Sequence, residues 1–170
     1  YTILDCYTDE PAGLGVPPYL GTYPRYIAGY LNEDAYYLTI DDLRLWKKHN
    51  SIVKDTRLSQ KTDITTYNLT TNYKNIKKIL EETSTLIVVL GVHVPGKYLS
   101  AVPGTLHEVI PLIKGLKCKK ILTGPAVFGT QLFGGKFFER YDKTVFDKID
   151  YSMFNFKYDK VKDYAISGAK

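Results

Sequence analysis

The chain reads as a three-layer α/β domain, with a mostly parallel sheet of about five strands and helices on both faces. Three observations lead there. Thr85-Leu86-Ile87-Val88-Val89-Leu90 is apolar without alternation, the pattern of a strand buried on both faces. Short apolar runs alternate with helical patterns along the chain, which implies right-handed crossovers and a parallel sheet. A long loop rich in proline and glycine, within Asp9 to Leu31, follows the first apolar run. Doubly wound proteins of the Rossmann-like or flavodoxin-like kind place their ligand face at such a loop.

Each element has its own signal. Thr2 to Tyr7 is the first strand. Thr22 caps a helix with Pro24 in its first turn, and Ile27, Tyr30 and Leu31 share one face. Ala35 to Ile40 is the second strand. Asp41 or Asp42 then caps a short helix carrying Leu43, Leu45 and Trp46, with Lys47, Lys48 and His49 at its C-terminal end, an order that suits the helix dipole. Ser51 to Thr71 is polar and threonine-rich, a loop with a short strand near Ile64 to Tyr67. Tyr73, Ile76 and Leu80 follow at helical spacing. After the 85–90 strand comes Gly91-Val92-His93-Val94-Pro95-Gly96. Thr105-Leu106-His107-Glu108 is a capping box opening a helix with the stripe Leu106, Val109, Ile110 and Ile113, bent by Pro111. Lys119 to Thr123 is the fourth strand and ends in Gly124-Pro125. A fifth strand is expected near Ile149 to Met153, and a last helix from Tyr158 to Ile166.

The 170 residues fit one domain, 1–170, with enough chain to bury a core unaided. The chain opens on Tyr1 rather than methionine, so it reads as processed or as a fragment of a longer chain. Cys6 and Cys118 are its two cysteines, too few for an iron–sulfur cluster or a four-cysteine zinc site. Cys6 reads as a buried, inert thiol. No apolar run approaches the roughly 20 residues of a membrane span, and no secretory signal is present. A cytoplasmic location follows as the expectation. The net charge of +5 is spread among acids, and no basic block with interleaved aromatics appears, so no nucleic-acid partner is expected. Gly13-x-Gly15 is not a dinucleotide fingerprint, and no Walker loop, H-E-x-x-H or G-x-S-x-G occurs.

Three groups could carry chemistry. Thr8, Asp9 and Glu10, after the first strand, could hold a hydroxyl, an amide or a metal, or could cap their own backbone. Gly91, His93 and Gly96 follow the third strand, where a histidine faces either a ligand or only its own loop. Gly124, Pro125 and Gly129 follow the fourth. Small residues there either let a flat ligand approach the backbone or form a tight turn. His49 and His107 read as surface or capping residues.

The run Pro17-Pro18-Tyr19-Leu20-Gly21-x-Tyr23-Pro24-Arg25-Tyr26-Ile27-Ala28-Gly29-Tyr30-Leu31, Asp41 closing the second strand and Ile121-Leu122-Thr123-Gly124-Pro125 closing the fourth form a recognisable set. It resembles the N-terminal cobalamin-binding-like domain of radical S-adenosylmethionine proteins of the Fe–S oxidoreductase type. Asp5-Cys6-Tyr7-Thr8-Asp9-Glu10-Pro11 looks like an archaeal branch. The resemblance implies cobalamin or substrate bound at the strand C-termini, where the candidate residues are Thr8, Asp9, Glu10, Asp41, Gly91, His93, Gly96, Gly124, Pro125 and Gly129. It also implies a [4Fe-4S] cluster and S-adenosylmethionine in a downstream radical domain, since this chain lacks the C-x-x-x-C-x-x-C loop. Cobalamin-dependent mutases use D-x-H-x-x-G. Here Gly91 stands in place of the aspartate that orients the histidine.

Three readings stay open at this point. The first is an accessory domain of a radical enzyme, partnered by the downstream domain and a small-molecule ligand, with no catalytic residue of its own. The second is a structural or interaction domain whose pocket is filled. The third is a stand-alone flavodoxin-like nucleotide-binding protein.

Overall fold

A computed structural model describes residues 1–6, 22–48, 56–58, 65–67, 73–91, 104–127, 144–153 and 156–168. The strands are β1 (Thr2–Asp5), β2 (Tyr36–Thr39), β3 (Thr56–Leu58), β4 (Thr65–Tyr67), β5 (Thr85–Val89), β6 (Lys119–Thr123) and β7 (Lys148–Ile149). The helices are α1 (Thr22–Leu31), α2 (Ile40–Lys48), α3 (Tyr73–Glu82), α4 (Leu106–Ile113) and α5 (Tyr158–Ser167).

Five strands form one parallel sheet in the order β2-β1-β5-β6-β7. β3 and β4 pair antiparallel as a separate two-stranded ribbon. The strand expected near Ile64 to Tyr67 is thus β4. Its partner β3 had no sequence signal, because three polar residues on a small ribbon show no usable alternation.

Alternate residues of the central strands feed two cores. Leu4, Leu38, Leu86, Val88 and Leu122 pack with Leu43 of α2, Ile76 and Leu80 of α3, and Leu106, Val109 and Ile113 of α4. Ile3, Ile87, Val89 and Ile121 pack with Ile27 of α1, Met153 and Phe156. Both faces of the sheet are covered, which is why the 85–90 run is apolar throughout. The fold is three-layered α/β with an all-parallel main sheet, and five main strands in the order 2-1-3-4-5 give it flavodoxin-like topology.

Several expected boundaries move. The first strand stops at Asp5, not Tyr7, and Tyr7 lies outside the described residues. The second strand ends at Thr39, and Ile40 already begins α2. Neither Asp41 nor Asp42 caps that helix. Thr39 does: its Oγ1 accepts from the Asp42 N–H at 3.3 Å, while Asp42 Oδ2 accepts from the Thr39 N–H at 2.7 Å. This is a reciprocal capping box in which a short aspartate serves because the helix follows the strand without a loop. Tyr30 does not share the buried face of Ile27. It is 45% exposed, and its ring lies 5.7 Å from Phe156 and 5.6 Å from Tyr164. The fifth strand is Lys148–Ile149, with Asp150 to Met153 forming a turn.

α1 stops at Asn32, which takes a left-handed conformation (φ 53°). α1 and α5 cross with Gly29 against Tyr164 and Gly168 against Arg25, an antiparallel arrangement. A Cβ on Gly29 would stand 1.9 Å from the Tyr164 carbonyl oxygen, and one on Gly168 would stand 2.0 Å from the Arg25 carbonyl oxygen. The backbones therefore touch where the side chains are missing.

Candidate functional site

The strand order reverses between β1 and β5, and the helices that follow them, α1 and α4, pack on opposite faces. The crevice outside the carboxyl ends of those two strands is where such sheets bind ligands. Asp5 and Cys6 end the β1 side, and Leu90 and Gly91 end the β5 side. Gly104 and Thr105 bring the chain back into α4. The Gly104 N–H donates to the Cys6 carbonyl at 3.0 Å, so this return passes directly over the end of β1.

Asp5 is 3% exposed, and its Oδ2 accepts from the Tyr37 hydroxyl on β2 at 2.8 Å. Ile3 and Val89 share its side of the sheet, so its carboxylate lies on the α1 side. Cys6 points to the other side and is fully buried. Burial pushes its thiol pKa well above the ordinary value. Asp5 adds to the rise, Arg44 opposes it, and Glu108 adds again. The thiol stays protonated and unreactive, in line with the inert reading.

Arg44 on α2 joins this end of the sheet to α4. Its Nε and Nη2 donate to Glu108 Oε1 and Oε2 at 2.7 and 2.9 Å, and Nη1 donates to Asp41 Oδ1 at 3.1 Å. Burial would lower the guanidinium pKa, but Glu108 and Asp41 raise it above its ordinary value. Arg44 in turn holds the Glu108 carboxyl below the usual range, against its burial and with help from the Thr105 N–H. Asp41, expected to meet a ligand, is thus engaged with Arg44.

The ends of β5 and β6 are closed by backbone. The Leu90 N–H donates to the Thr123 carbonyl at 3.0 Å, and the Ala126 N–H donates to the Leu90 carbonyl at 2.9 Å. Gly91 (φ 104°) and Gly124 (φ 100°) hold left-handed conformations that side chains rarely adopt. A Cβ on Gly91 would meet Ala126 N at 2.3 Å, and one on Gly124 would meet the Leu90 oxygen at 2.4 Å. Pro125 opens a buried 3-10 turn, Pro125–Val127, over the same gap. The smallness of both glycines is taken up by the chain itself.

At the end of β7, Asp150 is 4% exposed, and sequence reasoning did not single it out. Its Oδ1 accepts from the Ser152 N–H, the Ser152 hydroxyl and the Met153 N–H at 2.8, 2.6 and 2.9 Å, and its Oδ2 accepts from the Lys148 ammonium. Burial alone would raise its pKa, but Lys148, Ser152 and Met153 bring it down to about 2. Thr123 Oγ1 donates to the Asp150 carbonyl at 2.7 Å, fixing the turn to β6. The carboxylate is saturated and reads as a turn anchor.

Of the expected site residues, Asp41, Gly91, Gly124 and Pro125 are described and border the strand C-termini. Thr8, Asp9, Glu10, His93, Gly96 and Gly129 lie outside the described residues. Asp5, Tyr37, Arg44 and Glu108 escaped notice as a group. The one sequence signal was Asp5, an acid inside the apolar run Thr2-Ile3-Leu4-Asp5-Cys6. Among the described residues no three His, Cys, Asp or Glu side chains are placed to hold a metal ion, and no helix is long and apolar enough to cross a membrane. A groove of about 970 Å³ opens at the opposite end of the sheet, lined by Tyr1, Asn32, Glu33, Asp34, Tyr36 and Gly168. It lies at the N-terminal ends of β1 and β2, away from the topological switch, so the crevice rather than this groove is taken as the candidate site.

No family model and no solved structure matches the chain. An uncharacterized protein of Methanocaldococcus jannaschii is 35% identical over 195 residues, covering 99% of this chain and 31% of the relative. An uncharacterized protein of Archaeoglobus fulgidus is 35% identical over 126 residues, covering 72% of this chain and 18% of the relative. The chain spans less than a third of the curated relatives it matches.

Proposed function

We propose that this chain is a ligand-binding accessory domain that holds a small molecule outside the carboxyl ends of β1 and β5. One observation carries the reading. The strand order reverses between β1 and β5, while the neighbouring gap between β5 and β6 is filled by Leu90, Gly91, Gly124 and Ala126 backbone. The reading puts the ligand beside the Asp5–Tyr37 pair, on the α1 side of that reversal. A buried carboxylate paired with a phenol favours a ligand that donates hydrogen bonds, and an anion would be repelled.

The resemblance noted from the sequence makes the parent protein a radical S-adenosylmethionine oxidoreductase, with its cluster and S-adenosylmethionine in a part of the protein not contained in this sequence. That assignment rests on the resemblance alone. For a corrinoid the described residues give no cradle, because Gly91 and Gly124 are filled by the chain's own backbone. The same filling favours a second reading, an interaction domain with a closed pocket.

Titration with hydroxocobalamin, followed by the visible spectrum and the melting temperature, separates these readings. Saturable binding that Tyr37→Phe weakens supports a corrinoid at the β1/β5 crevice. Silence with hydroxocobalamin, together with a Tyr37-dependent melting shift from a panel of hydroxyl- and amine-bearing metabolites, supports the broader ligand reading. Silence throughout supports the closed-pocket domain.

A further inference from the structure

Among the six described glycines, five have a visible reason to be glycine: Gly29, Gly91, Gly104, Gly124 and Gly168 each leave no room for a Cβ without a close contact. Gly115 leaves room. A Cβ there would meet nothing within 4 Å, and its backbone is not left-handed. Gly115 directly follows the α4 C-cap Lys114, a common place for glycine at a helix end, and the open space beside it leaves the main chain accessible to a ligand group.

Gly115 sits in Lys114-Gly115-Leu116-Lys117-Cys118-Lys119-Lys120, four lysines in seven positions with no acid. The segment joins α4 to β6 at the N-terminal end of the sheet, the end opposite the crevice. Its backbone is fixed. The Lys114 N–H donates to the Ile110 carbonyl, the Leu116 N–H to Ile113 and the Lys119 N–H to Ser84, each at 3.0 Å. Lys120 is buried, and its ammonium donates to the Leu116 and Cys118 carbonyls at 2.7 and 3.0 Å, adding a positive charge inside the loop.

Lys114, Lys117 and Lys119 are exposed, and no ion pair engages them among the described residues. Among the described residues, the acids Asp147, Glu81 and Glu82 neighbour the loop. Asp147 accepts from the Lys120 N–H at 2.7 Å, and its charge offsets the buried Lys120 ammonium. Glu81 and Glu82 pair with Lys77 and Lys78 and are offset by them, which leaves Lys114, Lys117 and Lys119 as the excess. Leu116 is half-buried and Cys118 buried, so the loop shows no apolar anchor of the kind a protein interface or a membrane surface uses.

We propose that this loop is a contact site for the phosphodiester backbone of a nucleic acid. Lys114, Lys117 and Lys119 neutralise phosphates, and Gly115 lets one approach the main chain. The sequence-based expectation of no nucleic-acid partner rested on lysines mixed with acids and on the lack of a basic block with interleaved aromatics; Lys114 to Lys120 contains no acid, and backbone contacts need no aromatics.

The test is fluorescence anisotropy of the 170-residue chain with a short labelled single-stranded RNA and with a duplex, across a salt series. Three neutralised phosphates give log–log slopes of about −2 for the single strand and about −2.7 for the duplex. The triple variant Lys114→Glu, Lys117→Glu, Lys119→Glu weakens binding at least about tenfold and flattens the slope. Equal charge reversal at the α5 N-cap and along α5 (Lys157→Glu, Lys160→Glu, Lys162→Glu) leaves both unchanged. Gly115→Val keeps the melting temperature and the charge but weakens binding severalfold. Absence of salt-dependent binding overturns the proposal, as does equal loss in the two charge-reversed variants. Tighter binding to anionic lipid vesicles or to polyglutamate than to either nucleic acid also overturns it.

Discussion

The Arg44 guanidinium on α2 clasps the Glu108 carboxylate on α4 through two bonds, Nε to Oε1 at 2.7 Å and Nη2 to Oε2 at 2.9 Å. The pair ties together two helices whose sequence positions give no hint of contact. Both side chains keep only part of their surface in water, 20% and 30%. Arg44→Ala should lower stability by about 1–3 kcal/mol, as expected for a charge-assisted pair. Urea unfolding at neutral pH measures it.

The same pair carries a pH signature. The folded-state pKa of Glu108 lies below its ordinary value. Its contribution is therefore complete above the unfolded carboxylate pKa of about 4.3 and is lost as pH falls through the lower folded value. Glu108→Gln should flatten the melting-temperature profile in that acid range. A profile identical to the unsubstituted chain would refute the assignment.

Asp150 should give a separate acid transition. Its pKa near 2 means a contribution present above about pH 4 and lost as pH falls toward 2, worth about 2 kcal/mol. Asp150→Asn should remove that loss and lower stability at neutral pH. Ser152→Ala should do part of the same, since it deletes one of the three bonds to Oδ1.

Gly29→Ala places a methyl 1.9 Å from the Tyr164 carbonyl oxygen, so α1 and α5 must part. A loss of about 1–3 kcal/mol is expected from overpacking. Gly115→Ala, with open space around it, should leave the melting temperature unchanged. Thermal melts of the two variants side by side check the contrast.

Gly124→Ala combines a left-handed backbone with a 2.4 Å contact to the Leu90 oxygen, and should cost about 2 kcal/mol or more. Calorimetry reads the loss directly. A variant with its melting temperature intact would mean that the glycine serves something other than the β5–β6 closure.

The buried strands were legible because their signal is local. Thr85 to Leu90 and Lys119 to Thr123 announce themselves by apolarity, and Thr105 to Glu108 by its capping pattern, which the Glu108 N–H to Thr105 Oγ1 bond of 3.2 Å realises. Helix ends and faces were less so. Thr39 took the capping role from Asp41 because strand and helix join without a loop, a fact of tertiary geometry. Tyr30 left the face of Ile27 because Phe156 and Tyr164, far along the chain, offer it a ring surface. The site was the least legible part. Asp5 with Tyr37, and Arg44 with Glu108, are pairs drawn from four elements, and no spacing within one element joins either pair. The glycines after β5 and β6 were visible as residues, but only three dimensions show that each fills the space beside the other's strand.

The antiparallel crossing of α1 and α5 sets a condition on synthesis. α1 finds its backbone contact, Gly29 on Tyr164, only when α5, more than a hundred residues later in the chain, has been made. The strand before α1, β1, waits for β5, some eighty residues later, to become central. Until α5 is made, Ile27 lacks its cover from Met153 and Phe156, and the rings of Tyr26 and Tyr30 lack Phe156 and Tyr164. The window for misassociation is set by elongation time rather than by the equilibrium stability of the finished fold.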